Sequence, residues 1–161
     1  MSFANYDGAE GSASASGYEK WVQTKSIDVV CTRSGLTGVT GALSQQRSTG
    51  VAQLGPIRIR QDLDKSFPKL AEAMLGGKMN KKIQYVETQT VGGKLATICA
   101  YTFENCLLTG VKQVSDEKGC FAEVEFMPLK IEIKFTEYDP KDGSKKGDVA
   151  GKADMSEQKA G

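Results

Sequence analysis

Histidine is absent from this chain of 161 residues. That removes the side chain whose charge changes near neutral pH, the usual activator of serine and cysteine nucleophiles, and the commonest zinc ligand. Long apolar runs are also missing. None approaches the roughly 18 residues of a membrane-crossing helix, so no membrane insertion is expected. Excess charge of either sign is lacking: 21 basic and 20 acidic residues leave a net charge of +1. A nucleic-acid binder normally carries a basic surplus, so no nucleic-acid partner is expected. The opening residues, Met1-Ser2-Phe3-Ala4-Asn5-Tyr6-Asp7-Gly8, have neither the positive region nor the apolar centre of a secretory signal. Export, if it occurs, is expected by another route. Cysteine is scarce. Cys31, Cys99, Cys106 and Cys120 show no pair at zinc-knuckle or redox spacing, and they are expected as small buried hydrophobes in a reducing compartment. Nothing here implies a metal or a cofactor.

What is present suffices for one domain with a real core, spanning 1–161, with 39% apolar and 25% charged residues. Glu123 and Glu125 are the one pair of carboxylates placed for acid–base work. Their alternation with apolar residues instead marks the solvated side of a strand. Without histidine or a motif of catalytic geometry, no enzyme is expected.

The stretch from Ile57 to Gly77 organises the chain. Ile57 and Ile59 alternate with Arg58 and Arg60, which predicts a half-buried strand with the two arginines on the opposite face. Asp62, Asp64 and Ser66 break the pattern. Pro68 suits a first helical turn, with Ser66 or Phe67 as the cap. Leu70, Ala71, Met74 and Leu75 make an apolar stripe, and Gly76-Gly77 a left-handed stop. A helix of about eight residues is marginal alone, so it must be held against a sheet.

Strands dominate elsewhere. Phe3 and Tyr6 could begin one, followed by a Gly/Ser/Ala loop to Gly17. Residues 21–31 form another, with a bend or bulge expected near Ser26. Residues 32–55 form a long loop, rich in glycine and hydroxyls yet carrying Leu36, Val39, Leu43 and Val51, which suggests that it folds against something. Residues 81–91 and 94–104 form a hairpin about Gly92-Gly93. A strand continues from Cys106 to Val114. Between Cys120 and Tyr138 the apolar phase flips at Met127-Pro128, from Ala122, Val124 and Phe126 to Leu129, Ile131, Ile133 and Phe135. That predicts a bulge, or a strand passing from one sheet to another. Residues 139–161 are polar and, alone, expected to be mobile. The fold class is mainly β: an antiparallel barrel or two-sheet sandwich with one short flanking helix and a long extended loop.

The segment Arg60-Gln61-Asp62-Leu63-Asp64-Lys65-Ser66-Phe67-Pro68-Lys69-Leu70, followed by Ala73 and Gly76-Gly77, resembles the Hcp family. These haemolysin-coregulated proteins form the inner tube of type VI secretion systems, and in them a strand leads into an Asp-Lys-Ser-x-Pro-x-Leu helix start. The likeness in element order covers about residues 18 to 147. It implies a homohexameric ring whose copies stack head-to-tail inside a contractile sheath, on a baseplate and under a VgrG-type spike, with effector proteins in the lumen. It implies assembly in a bacterial cytoplasm and secretion to the medium or a target cell without a cleaved signal peptide. It implies no catalytic, cofactor or metal residues. The long loop would reach the adjacent ring through Arg33, Leu36, Val39, Leu43, Gln45 and Arg47, while Arg58 and Arg60 would face the lumen or a subunit seam. A near-zero net charge fits self-association, since little repulsion opposes stacking. The alternatives are the tube of a related phage-like contractile system, and a small barrel binding an apolar ligand among Tyr85, Tyr101 and Phe103.

Overall fold

The computed structural model describes residues 1–33 and 51–157. In chain order it contains β1 (Ser2–Tyr6), β2 (Val22–Asp28), β3 (Cys31–Arg33), β4 (Ala52–Leu54), β5 (Ile57–Asp62), α1 (Phe67–Leu75), β6 (Asn80–Val91), β7 (Lys94–Asp116), β8 (Gly119–Met127), β9 (Lys130–Tyr138), β10 (Lys145–Asp154) and a 3-10 turn (Met155–Glu157). All pairings are antiparallel. From β7 the order runs through β6, β1, β2, β5 and β8 and returns to β7, closing a six-stranded barrel.

Closure depends on the length of β7. Its first half pairs with β6, and its second half, from Leu107, pairs with β8. Between them Asn105 has a left-handed backbone, φ 52°, where the pairing of β7 passes from β6 to β8. Asparagine is among the few side chains that tolerate this region. The free edge of β7 at Cys99–Glu104 then takes β9, and β9 takes β10. The β9–β10 hairpin therefore stands off the barrel as a wing.

The core fills the barrel. Ile57, Ile59, Val22, Ile83, Tyr85, Phe103, Val124 and Phe126 are all fully buried. Phe103 meets Phe126 edge-on at 5.1 Å, and Tyr101 stacks on Phe103 and meets Tyr85 edge-on, both at 6.1 Å. Tyr85 and Phe103 thus fill the space that an apolar ligand would need.

The alternation at residues 57–60 is borne out, with both isoleucines buried and both arginines exposed. So are the bulge between Thr24 and Ser26 and the Gly92-Gly93 hairpin, whose glycines sit at φ 59° and 78°. The phase flip at Met127-Pro128 marks a real break: β8 ends there with Met127 opposite Leu107, and β9 resumes farther along β7 with Lys130 opposite Glu104.

Ser66 is the cap residue of α1, as expected, although its hydroxyl is committed to Asp64 rather than to the helix amides. Three expectations need correction. Leu75 is 80% exposed, and the inward face of α1 is Leu70, Ala73 and Met74. Gly77 alone is left-handed, at φ 66°, while Gly76 stays helical at φ −79°. Cys31 and Cys120 are exposed, so only Cys106 behaves as a buried hydrophobe. The polar tail is also a strand over Lys145–Asp154, ordered by pairing along β9 rather than by apolar content of its own.

Candidate assembly surfaces

The first surface is the outside of β2, β5, β8 and the second half of β7. Cross-strand register sets Asp28 beside Arg58 and Arg58 beside Glu125; one step along, Ser26, Arg60, Glu123 and Lys112 lie in a row. Arg58 Nε donates to Glu125 at 2.7 Å, and Arg60 reaches Glu123 at 3.7 Å. The hydrogen bond to Glu125 raises the Arg58 pKa. The bond from Arg58, then that from Thr109, lowers the Glu125 carboxyl. Phe121 lies beneath this layer, with Arg60 at 4.7 Å and Lys25 at 5.7 Å from its ring centre. Opposite charges directly across strands stabilise the sheet modestly. Glu123 and Glu125 are therefore engaged with arginines and are not arranged as an acid–base pair.

The second surface is the two-stranded ribbon of β3 and β4. Cys31, Thr32 and Arg33 pair with Leu54, Gln53 and Ala52, so a short ribbon holds the two arms of the long loop together. Arg33 is exposed on that ribbon. Leu36, Val39, Leu43, Gln45 and Arg47 lie outside the described residues.

The third surface is the wing. Its even-numbered face is charged and internally paired: Lys130 with Asp154 at 3.5 Å, Lys134 with Asp148 at 3.4 Å, Lys152 with Glu132 at 3.6 Å. A cavity of about 390 Å³ opens on this side, lined by Thr102, Glu104, Lys130 and Glu157 among others. The odd-numbered face is apolar, with Phe135 opposite both Cys99 and Val149. Reading the sequence found the β9 half of this face but not the strand that extends it. The signal was there in Ile131, Ile133 and Phe135, but the polar composition of β10 hid its partner strand.

Three residues of the Asp-Lys-Ser segment, Gln61, Asp64 and Ser66, are tied to one another by hydrogen bonds. They form a polar chain under the helix. Tyr6 Oη donates to Gln61 Oε1 at 2.5 Å, Gln61 Nε2 to Ser66 Oγ at 3.4 Å, and Ser66 Oγ to Asp64 Oδ1 at 2.5 Å. Asp64 also accepts from the Ser66 and Ser12 amides. The network ties β1, β5, the helix start and the loop after β1. A groove of about 690 Å³ lies beside it, between α1 and the start of β6, with Lys69, Lys78, Met79 and Lys81 on its walls. Among the described residues no group of three or more His, Cys, Asp or Glu could hold a metal ion, and no helix is long and apolar enough to cross a membrane.

A filled barrel, a paired charge ladder and a two-faced wing are the features that the described residues present. The family described as "Type VI secretion system effector, Hcp" matches residues 3–141, and the chain belongs to that family. A crystal structure of a type VI secretion system effector from Yersinia pestis is 17% identical, with a TM-score of 0.75 over 96% of this chain and 99% of that one. Hcp1 from Salmonella typhimurium is 14% identical, with a TM-score of 0.73 over 96% and 94%. The secreted protein Hcp3 from Pseudomonas aeruginosa is 15% identical, with a TM-score of 0.65 over 96% and 99%. At such identities these likenesses show the fold. No curated protein matches this sequence. Family membership makes the chain a tube protein of type VI secretion.

Proposed function

We propose that six copies close into a ring, that rings stack into a tube, and that sheath contraction drives the tube out of a bacterial cell beneath a VgrG-type spike. The tube is built in the cytoplasm on a baseplate and leaves without a cleaved signal peptide. Effector proteins ride in the lumen or accompany the tube. The family match over residues 3–141 carries this reading. Closed rings need a heterologous lateral contact, and stacking needs an axial one.

The axial contact is assigned to residues 32–55. There Leu36, Val39 and Leu43, with Arg33, Gln45 and Arg47, meet the next ring. Each buried aliphatic side chain contributes about 1.5–3 kcal/mol before ordering costs. Arg58 and Arg60 face the lumen or the subunit seam. A lumen lined by these paired arginines and glutamates would offer passing cargo little net charge.

The test is light scattering after size exclusion, followed by electron microscopy. The wild type should run at the mass of six chains and form tubes. The double variant Leu36→Asp, Val39→Asp should keep rings and lose tubes. A wild type that stays monomeric at every concentration would overturn the reading.

A further inference from the structure

The wing presents two faces of opposite character. On one, three lysines are matched to three carboxylates of the same hairpin or its turn. On the other, successive rungs run outward from the barrel core. Phe103, Ile131 and Ala153 lie in register, then Tyr101, Ile133 and Gly151, then Cys99, Phe135 and Val149. Ile131 is buried, but Phe135 is 50% and Val149 75% exposed. The core thus continues onto the wing and is left open there, ending at Glu137 opposite Gly147. Among the described residues nothing pairs with the outer edge of β10. Lysines commonly guard such an edge; here Lys145 and Lys152 are drawn to Asp148 and Glu132, which among the described residues leaves Lys146 as the one β10 lysine outside an ion pair.

A second exposed apolar site lies at the base of the wing. Leu107 is 42% and Leu129 41% exposed, and Leu107 pairs directly with Met127. Met127 in turn covers Gly55, where an added Cβ would sit 3.2 Å from its sulfur. Six residues of strand, roughly 20 Å, separate Leu129 from Phe135, so one copy cannot cover its own wing with its own base. Two unlike apolar sites on one chain are what a head-to-tail contact requires.

We infer that a second copy of this chain covers the wing, its Leu107–Met127–Leu129 site seated on Phe135, Val149 and Cys99, and that this contact is the lateral seam of the ring. The inference rests on the ring reading above and adds its two contact surfaces. The wing face measures roughly 30 Å by 10 Å, less than half of the approximately 800 Å² per partner in a standard interface. The seam therefore also takes in the β10 edge.

Two variants test it: Phe135→Asp with Val149→Asp, and Leu107→Asp with Leu129→Asp. All four positions are substantially exposed, so circular dichroism should show each variant folded. Each alone should sediment as a monomer under conditions where the wild type is a ring. Mixed in equal amounts, they should form a complex of two chains and nothing larger, because one intact wing and one intact base remain. Rings from either variant would overturn the inference while leaving the ring reading standing. Monomers that stay apart on mixing would overturn the pairing of these two sites. A monomeric wild type would overturn the ring reading itself. If aspartate unfolds the wing, Phe135→Ser with Val149→Thr carries the same expectations.

Discussion

The Tyr6 hydroxyl donates to the Gln61 side-chain oxygen at 2.5 Å, linking the first strand to the strand before the helix. Both side chains are buried, Gln61 completely. Burial, then the negative charge of Asp64, pushes the Tyr6 pKa well above its usual value, so the phenol remains a donor. Tyr6→Phe strands a buried acceptor and should cost about 1–3 kcal/mol in urea denaturation. The same bond sets an alkaline limit. A phenol whose native pKa is raised contributes stability that is fully present below about pH 10, where the unfolded chain begins to ionise, and that is lost as pH rises beyond it. The denaturation midpoint of the wild type should fall faster above pH 10 than that of Tyr6→Phe.

Leu70 is the one fully buried side chain of α1, and it joins the core cluster of Tyr6, Ile57 and Phe103. Nine residues do not make a stable helix by themselves. Leu70→Ala should cost about 2–5 kcal/mol. Leu75→Ala, at the exposed end, should leave the midpoint nearly unchanged. Equal losses from the two would contradict this packing.

Local patterns carried much of the fold. The Ile57–Arg60 alternation, the two glycines at 92 and 93 and the phase flip at Met127 are each statements about a few neighbouring residues, and each held. The wing was not legible, because β10 has no alternation to read: Gly147, Ala150 and Gly151 become strand only through the register that β9 imposes. The Tyr6–Gln61 bond was hidden for a similar reason. Nothing near Tyr6 in sequence announces a partner in β5, and the same network took the Ser66 hydroxyl away from the cap that local rules assign to it. Arg58 and Arg60 were placed on the correct face, but their engagement with Glu125 and Glu123 depends on strand neighbours that sequence order does not reveal.

The cysteines should separate by reactivity. Burial pushes the Cys106 thiol up to about 12, and its side chain is wholly inaccessible. Reaction requires the thiolate. Cys31 and Cys120 are exposed. Mass spectrometry after brief alkylation at pH 8 should find both of them labelled and Cys106 intact. Labelling of Cys106 should require denaturant. Fast native modification of Cys106 would mean that the junction of β6 and β7 opens far more readily than its packing suggests.

Acid should loosen the wing before the barrel. The hydrogen bond from Lys145, then that from Thr136, lowers the Asp148 carboxyl to about 2. A depressed carboxylate contributes stability that is present above about pH 4 and lost as pH falls through its native value. Hydrogen exchange between pH 4 and pH 2 should therefore show rising exchange at the β10 amides, corrected for intrinsic rates, before those of β1 and β6. Asp148→Asn should flatten that pH dependence. An unchanged profile in the variant would assign the acid sensitivity to other carboxylates.

Asn105 is where one strand changes partners. Before it, β7 lies between β6 and β9; after it, β7 pairs with β8 and completes the barrel. Its φ of 52° is what redirects the chain, and a left-handed backbone costs most side chains on the order of 1–3 kcal/mol. Asparagine bears less of this cost and glycine almost none. Asn105→Gly should keep the stability within about 1 kcal/mol, since the relieved strain offsets the added freedom of the unfolded chain. Asn105→Val places a β-branched side chain where it fits worst and should cost about 1–3 kcal/mol. The loss should appear in the barrel and wing together, because the bend positions both, so tryptophan fluorescence and exchange at β10 should report one shared transition. If valine is tolerated as well as glycine, the bend is imposed by β8 and β9 rather than by Asn105 itself.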